Sequence, residues 1–176
     1  NTEQLLDECH IAFDFHEPKN KRTFSGSRQV DTVLLERETW KGVHYRYGEQ
    51  VSSDIRDRVE KELRMINELG FAAYFLVNWD IVRYAQRRGY FYVGRGSGAN
   101  SIVAYCLRIT DVDPIDLDLY FERFINPYRQ NPPDFDLDFS WKDRDDLTAY
   151  IFRRHGEEHT ALLATYSTYQ SNAVIR

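Results

Sequence analysis

Residues 133–139 of the chain read PDFDLDF, and this stretch sets the first expectation about the fold. Three aspartates alternate with three large apolar residues, which is the pattern of a β-strand with one buried and one exposed face. The alternation places Asp134, Asp136 and Asp138 together on one face. Because like charges on one strand face repel and buried ions are costly, that face is expected to meet water or cations.

Two interpretations of the acidic face stay open from these residues alone. Edge strands often carry charge, so the first is a solvated edge strand. The second is a metal site, because Mg²⁺ prefers carboxylate oxygens and paired carboxylates suit two-metal displacement at phosphorus. A calcium loop of the EF-hand type is excluded, since it needs glycine at its sixth position, where this chain has Phe139.

A glycine-rich stretch, GRGSGANS at residues 94–101, lies upstream of the acidic strand. It follows a predicted strand at 90–93 and precedes helical sequence at 102–107, and such a turn directs backbone N–H groups towards an anion. Ser97 adds a hydroxyl donor and Arg95 adds charged donors. The stretch is neither a Walker A loop nor a Rossmann fingerprint. A tight glycine turn without a ligand is the alternative.

The remaining pattern alternates helices and strands. Apolar spacing and capping residues predict helices at 54–69, 73–88, 117–124 and 143–155, a strand at 160–165, and a last helix from 167. Residues 1–50 are the least regular, with a short helix expected near 3–9. His155 ends its predicted helix, where it is expected to interact with the last carbonyl groups. The mixture predicts an α/β or α+β layered domain.

The composition limits the class of protein. The chain has 176 residues, of which 42% are hydrophobic and 29% charged, as in one globular domain. Its net charge of −5 does not favour nucleic-acid binding, although arginines cluster locally at positions 83, 87, 88 and 95. The arginines at 83, 87 and 88 are open to two interpretations, a phosphate-contacting surface or a solvated helix end.

Cysteine use and hydropathy bear on the compartment. Cys9 and Cys106 lie far apart without metal-like spacing, which favours a reduced, cytoplasmic setting. Apolar runs are too short for a membrane span, so no membrane association is expected.

The glycine-rich turn and the acidic strand together indicate a nucleotidyltransferase. In such an enzyme the turn would hold a triphosphate and the Asp-x-Asp strand would hold metal ions.

Four stretches resemble one known family. They read GFAAYFLVNWDIVRYAQRRG (70–89), VGRGSGANSIVAYCLRITDVDP (93–114), FERFINPYR (121–129) and PDFDLDF (133–139). In combination they are similar to the C family of bacterial replicative DNA polymerases, the DNA polymerase III alpha subunits. Weaker similarity reaches both ends, so the chain resembles a piece of a larger subunit, covering the palm up to the start of the thumb. Asn100 departs from the family, which usually has glycine there.

The resemblance implies an α+β fold, a polymerase-beta-like nucleotidyltransferase palm with a mixed sheet flanked by helices. It implies that residues 1–50 are a connecting and early palm segment, that 51–165 form the palm, and that 166–176 begin the thumb.

The resemblance also assigns site residues. Gly96 and Ser97 are expected to contact the phosphates of the incoming nucleotide, together with Arg95, and Arg123 is expected near the triphosphate. Asp134 and Asp136 are expected to be the catalytic carboxylates that bind two Mg²⁺ ions. Asp138 is expected to support them.

The function implied is that of a DNA-directed DNA polymerase in bacterial chromosomal replication, either the main replicase or an error-prone paralogue. The expected partners are primer–template DNA, deoxynucleoside triphosphates (dNTPs), the other domains of the subunit and the replicase holoenzyme. The family's third catalytic aspartate lies downstream, so the isolated fragment is expected to be inactive. The alternatives are a nucleotidyltransferase for a small acceptor and a nucleotide- or magnesium-binding interaction module without catalysis.

Overall fold

The computed structural model describes residues 2–9 and 20–163. Helices predominate, and a single pair of strands lies among them in this part of the chain. The elements are α1 (Thr2–Glu8), α2 (Arg28–Tyr47), α3 (Ser53–Glu68), α4 (Ala72–Arg88), β1 (Tyr92–Arg95), α5 (Ile102–Cys106), β2 (Asp136–Phe139) and α6 (Arg144–His155). Short 3₁₀ turns occupy Gly96–Asn100, Phe121–Arg123 and Glu157–His159.

Helices α3 and α4 form where the apolar spacing predicts them. The Ser52 hydroxyl accepts the backbone N–H of Ile55 and so caps α3. Helix α4 ends at Gly89, which has a left-handed backbone conformation (φ 73°, ψ 24°). Between them these helices bury Val59, Ile66 and Phe75 completely.

Helix α2 is the main element that the sequence interpretation missed, because residues 1–50 were predicted to be the least regular. Its buried face carries Asp31, Leu35, Thr39, Gly42 and Val43. Three of these five residues are polar or lack a side chain, so the apolar periodicity is weak. The buried Asp31 carboxylate accepts hydrogen bonds from the Phe24 N–H and from the N–H and hydroxyl of Ser25, and this fixes the segment that precedes the helix.

The core lies where α2, α3, α4 and α5 meet, and aromatic rings from the 3₁₀ turn at Phe121–Arg123 complete it. Helix α2 approaches α5 very closely. A Cβ atom on Gly42 would overlap the Cys106 carbonyl oxygen, so only glycine allows this backbone contact. Cys106 is 2% exposed.

Strands β1 and β2 pair antiparallel, with Tyr92 opposite Phe139 and Arg95 opposite Asp136. The mixed sheet that the family resemblance implies is therefore not seen in the described residues, which form a two-stranded antiparallel sheet. Because helices and this sheet make up one packed unit, the α+β class is confirmed.

Helix α6 packs against α4 through paired tyrosines and aspartates. The Tyr84 and Tyr150 rings stack with centroids 3.8 Å apart. Tyr84 donates a hydrogen bond to Asp146, and Tyr150 donates one to Asp80. These contacts bring the end of α6, with His155, against α4.

Other predicted elements differ from the structure. The predicted helix at 117–124 is only the 3₁₀ turn Phe121–Arg123, and residues 160–163 of the predicted strand at 160–165 have no regular structure. The last predicted helix and the start of the thumb at 166–176 lie outside the described residues. Among the described helices, none combines the length and apolar character needed to cross a bilayer.

Candidate nucleotide-binding site

The acidic strand has the two faces that its alternation predicts. Asp134, Asp136 and Asp138 are exposed, whereas Phe135 and Leu137 are partly buried and pack against the core. Residue 134 precedes the strand itself, which begins at Asp136. The three carboxylates therefore line one solvent-facing surface.

An aromatic layer beneath the strand holds this surface in place. The Phe135 ring stacks on Tyr74 with centroids 5.4 Å apart, and its edge contacts Phe75. The Phe135 N–H also donates a 2.8 Å hydrogen bond to the Tyr74 hydroxyl. Burial raises the pKa of Tyr74 to about 12, and the charges of Asp134 and Asp136 act in the same direction. Both acids therefore act on the same hydroxyl group.

Arg95 supplies positive charge to the acidic surface. Its Nε donates a 2.5 Å hydrogen bond to Asp138 Oδ2, and its Nη1 lies 3.6 Å from Asp136 Oδ2. The hydrogen bond with Asp138, and then the charges of Asp138 and Asp136, raise the pKa of the guanidinium. The repulsion among the aspartates is thus partly offset within the chain.

Gly96 brings the glycine turn against the acidic strand. Its φ of +78° lies in the region that favours glycine, and a Cβ atom there would lie 2.8 Å from Asp136 Oδ2. Two residues on, a Cβ atom at Gly98 would lie 2.6 Å from the Phe135 ring. The phosphate-binding turn predicted from sequence and the predicted metal-binding strand are therefore one continuous surface.

Ser97 and Arg123 complete the predicted set. Ser97 is exposed in the 3₁₀ turn Gly96–Asn100, and the turn carrying Arg123 contacts it. Arg123 is exposed, and within the described part of the chain its side chain forms no hydrogen bond or ion pair. The structure thus leaves a hydroxyl and a guanidinium available beside the acidic surface.

A buried ion pair supports the glycine turn from below. Arg58 Nε donates a 2.7 Å hydrogen bond to Glu62, whose side chain is 0% exposed. Arg58 also donates to the carbonyl oxygens of Asn100 and Leu119, and the Ser101 hydroxyl donates to Glu62. Burial raises the pKa of the Glu62 carboxyl, while these hydrogen bonds act to lower it. The sequence interpretation missed this pair, although its i, i+4 spacing on a predicted helix is a usable signal.

Asn100, the position that departs from the family, belongs to this support. Its side-chain amide donates a 2.9 Å hydrogen bond to the Ser97 carbonyl oxygen, across the turn. Its own carbonyl oxygen accepts from Arg58. The asparagine therefore links the exposed turn to the buried ion pair.

The donor set fits a partial magnesium site. No group of three or more His, Cys, Asp or Glu side chains close enough for one ion occurs within residues 2–9 and 20–163. Mg²⁺ usually takes one or two protein carboxylates and completes its shell with water and phosphate oxygens. Asp134 and Asp136 are hard oxygen donors on one exposed surface beside the glycine turn, which matches that requirement.

Comparison with known proteins identifies the family. The family model described as the bacterial DNA polymerase III alpha NTPase domain matches residues 33–176. The chain belongs to the bacterial DNA polymerase III alpha family. An error-prone DNA polymerase from Symbiobacterium thermophilum is 39% identical over the whole chain, and a DNA polymerase III subunit alpha from Borreliella burgdorferi is 44% identical over the whole chain.

The chain spans only part of these relatives. It covers 16% of the length of both the Symbiobacterium and the Borreliella protein. Both an error-prone polymerase and a DNA polymerase III alpha subunit match over the full chain, so the comparison leaves both branches of the DNA polymerase III alpha family open.

Other arginines of this DNA polymerase III alpha segment have their own contacts. The Arg83 guanidinium lies over the Trp79 ring, 4.4 Å from its centroid. Arg88 donates a hydrogen bond to the Tyr90 hydroxyl and lies 3.7 Å from Asp146. Arg87 is exposed at the end of α4. Two of the three arginines are therefore engaged by side chains of this chain.

Proposed function

We propose that this chain is the nucleotide-binding part of the palm of a DNA-directed DNA polymerase, with a polymerase-beta-like nucleotidyltransferase fold. In the whole subunit it would act in bacterial chromosomal replication, in the cytoplasm, with primer–template DNA, dNTPs and the other replicase subunits. Family membership supports this assignment. The observation that carries it is the contact of Gly96 with Asp136, which joins the glycine turn and the acidic strand into one surface.

Each residue has a role in this proposal. The Ser97 hydroxyl and the Arg95 and Arg123 guanidinium groups bind the triphosphate oxygens, because charged and hydroxyl donors match phosphate acceptors. Asp134 and Asp136 would hold two Mg²⁺ ions, which when bound would neutralise charge on the attacking and leaving oxygens. Asp138 holds the Arg95 side chain beside them. The aromatic layer under Phe135 keeps both carboxylates in position.

Calorimetric titration of the chain with dATP and Mg²⁺ tests the site. We expect binding that needs Mg²⁺ and is lost in a Ser97→Ala/Asp136→Ala double variant. The matched control is Ser53→Ala/Asp57→Ala, which changes an exposed serine and an exposed aspartate on α3. Equal binding by both double variants would contradict the proposed site.

Primer extension tests the catalytic part of the proposal. The family's third catalytic aspartate is expected outside this segment, so the chain alone should bind nucleotide without extending a primer. Robust incorporation by the purified chain with Mg²⁺ would contradict this. If the full-length subunit also binds dATP but extends no primer, the alternative of an interaction module without catalysis is favoured.

A further inference from the structure

A cavity of about 310 Å³ lies behind the acidic strand, between the start of α4, the end of α6 and the segment before α2. One wall is apolar and includes Leu69, Phe71 and Tyr74. The Tyr74 ring lines the cavity, stacks on Phe135 and accepts the Phe135 N–H at its hydroxyl, so it lies between the cavity and the acidic strand. The volume is at the lower end of that of small-molecule sites, about 300–1,000 Å³.

Three cationic residues also line the cavity. They are Lys21, Arg22 and Arg28, and in the part of the chain that the structure describes none of their side chains forms an ion pair or hydrogen bond. No acidic side chain is among the described residues that line it. Unpaired cations that line one open cavity favour an anion.

A buried histidine side chain faces the same space. The His155 side chain is 4% exposed, and neither ring nitrogen has a hydrogen-bond partner among residues 2–9 and 20–163. Asp80 Oδ2 lies 3.8 Å from His155 Nε2 and already accepts hydrogen bonds from Tyr150 and Arg154. The expectation that His155 bonds to the last helical carbonyls is therefore wrong. A buried polar group without a partner is costly, so it points to a ligand that would supply one.

Uncharged polar side chains that line the cavity indicate which class of anion it would bind. Asn20, Gln130 and Asn131 present side-chain amides, which pair with the edges of nucleobases. Phe71 and Tyr74 add aromatic carbon, against which bases pack. The cavity therefore offers cations for a phosphate, amides for the edge of a base, and aromatic rings for its face. This combination matches a nucleotide better than an acidic peptide or a lipid.

We propose that this cavity binds a nucleoside monophosphate, with the phosphate at Lys21 and His155 and the base against Phe71 and Tyr74. Two sources can supply this nucleoside monophosphate: a free nucleotide, or one nucleotide of a single-stranded DNA. The site is separate from the Ser97 and Asp136 surface, and the proposal does not depend on the function proposed for that surface.

Titration with dAMP in EDTA tests this cavity. EDTA removes divalent metal ions and so prevents the Mg²⁺-dependent nucleotide binding proposed for the Ser97 and Asp136 surface. We expect the ring signals of His155 in NMR spectra to shift on addition of dAMP. We also expect Lys21→Ala to weaken dAMP binding about tenfold, the loss of one charge-assisted hydrogen bond. Lys142→Ala, an exposed lysine beside Trp141, is the matched control.

Other probes decide between outcomes. Inorganic phosphate or deoxyadenosine binding as tightly as dAMP would overturn the nucleotide assignment. So would unchanged His155 signals, or dAMP binding lost in Ser97→Ala/Asp136→Ala but kept in Lys21→Ala. A 5′-phosphorylated trinucleotide binding more tightly than dAMP would support the cavity and assign it to single-stranded DNA, and equal binding would support it and assign it to free nucleotide. The fold of Lys21→Ala is checked by its thermal melt.

Discussion

Two arginine–carboxylate pairs lie on opposite sides of the glycine turn and differ in solvent exposure. Below the turn, Arg58 is 19% exposed and its partner Glu62 is 0% exposed. Above the turn, Arg95 is 60% exposed and its partner Asp138 is 58% exposed. The two pairs have the same chemistry and similar lengths, at 2.7 and 2.5 Å.

The difference in exposure assigns the two pairs different tasks. A buried pair loses its hydration and cannot exchange partners without leaving a bare charge, so it fixes the backbone around Asn100 and Ser101. An exposed pair is screened by water and salt, so it can be broken at little cost when another anion or cation arrives. The lower pair is therefore suited to hold the turn and the upper pair to respond to ligands.

Removing one member of the buried pair should have the largest effect. Glu62→Ala leaves the partly buried Arg58 guanidinium without its carboxylate, and it should lower the free energy of unfolding by about 3 kcal/mol, the lower end of the range for a buried pair. Urea denaturation followed by circular dichroism measures this. Glu60→Ala, on the exposed face of the same helix, is the control and should be close to the unmodified chain. A loss under about 1 kcal/mol, the usual value for an exposed pair, would remove the contrast between the two regions.

A change at the turn between the two pairs should have an intermediate effect. Gly96→Ala places a side chain at φ +78°, which should cost about 1–2 kcal/mol, and crowds Asp136 Oδ2. Gly89→Ala is the control, because its φ is +73° and no atom of the described residues lies within 4 Å of its Cβ position. We expect Gly96→Ala alone to weaken dATP–Mg²⁺ binding. If both variants bind dATP alike, the contact with Asp136 does not shape the site.

His155 offers a buried titratable group without a charged hydrogen-bond partner, in contrast to Glu62. Burial lowers the pKa of the imidazole below its usual 6.5. The charge of Asp80 acts against this lowering, and the charges of Lys21 and Arg154 add to it. Between the folded and unfolded pKa values the unfolded chain binds more protons, so stability is complete above about pH 6.5 and falls as the pH drops below it.

Thermal melts between pH 7.5 and 5.5 test this expectation. The melting temperature should fall with pH, and the fall should be smaller in His155→Phe. His44→Phe, at an exposed position on α2, is the control. Parallel melting curves for the unmodified chain and His155→Phe would contradict the assignment.

Disrupting the exposed pair should have the smallest effect on stability. Arg95→Ala and Asp138→Asn should each unfold within error of the unmodified chain, since exposed ion pairs contribute little. Arg95→Ala should nevertheless weaken dATP–Mg²⁺ binding. A clear loss of stability that persists at high salt would show that the upper pair is structural and not exchangeable.

Local patterns carried most of what the sequence predicted correctly. The two faces of the acidic strand, the glycine turn and helices α3 and α4 depend on alternation, apolar spacing and capping by neighbouring residues. Each of these signals lies within a few residues of the element it defines.

Features that depend on distant residues were missed. Helix α2 has a buried face that includes Gly42 because the backbone of Cys106, far along the chain, lies against it. Glu62 is buried because Ser101 and Val103 supply donors to its carboxylate. The predicted helix at 117–124 reduces to a short turn whose Phe121 and Phe124 are buried in the core. Tertiary contacts decide these positions, and no local pattern contains them.

The close contact between α2 and α5 also buries the Cys106 thiol, and the reactivity of this thiol can report when the two helices separate. Burial raises the pKa of the Cys106 thiol, so it stays protonated and unreactive in the folded chain, whereas Cys9 is exposed. These are the two cysteines of the sequence. A maleimide dye should therefore label this 176-residue chain once in its folded state, at Cys9, without mutagenesis. The slower rate at which a thiol reagent then reaches Cys106 would time the separation of Gly42 from α5.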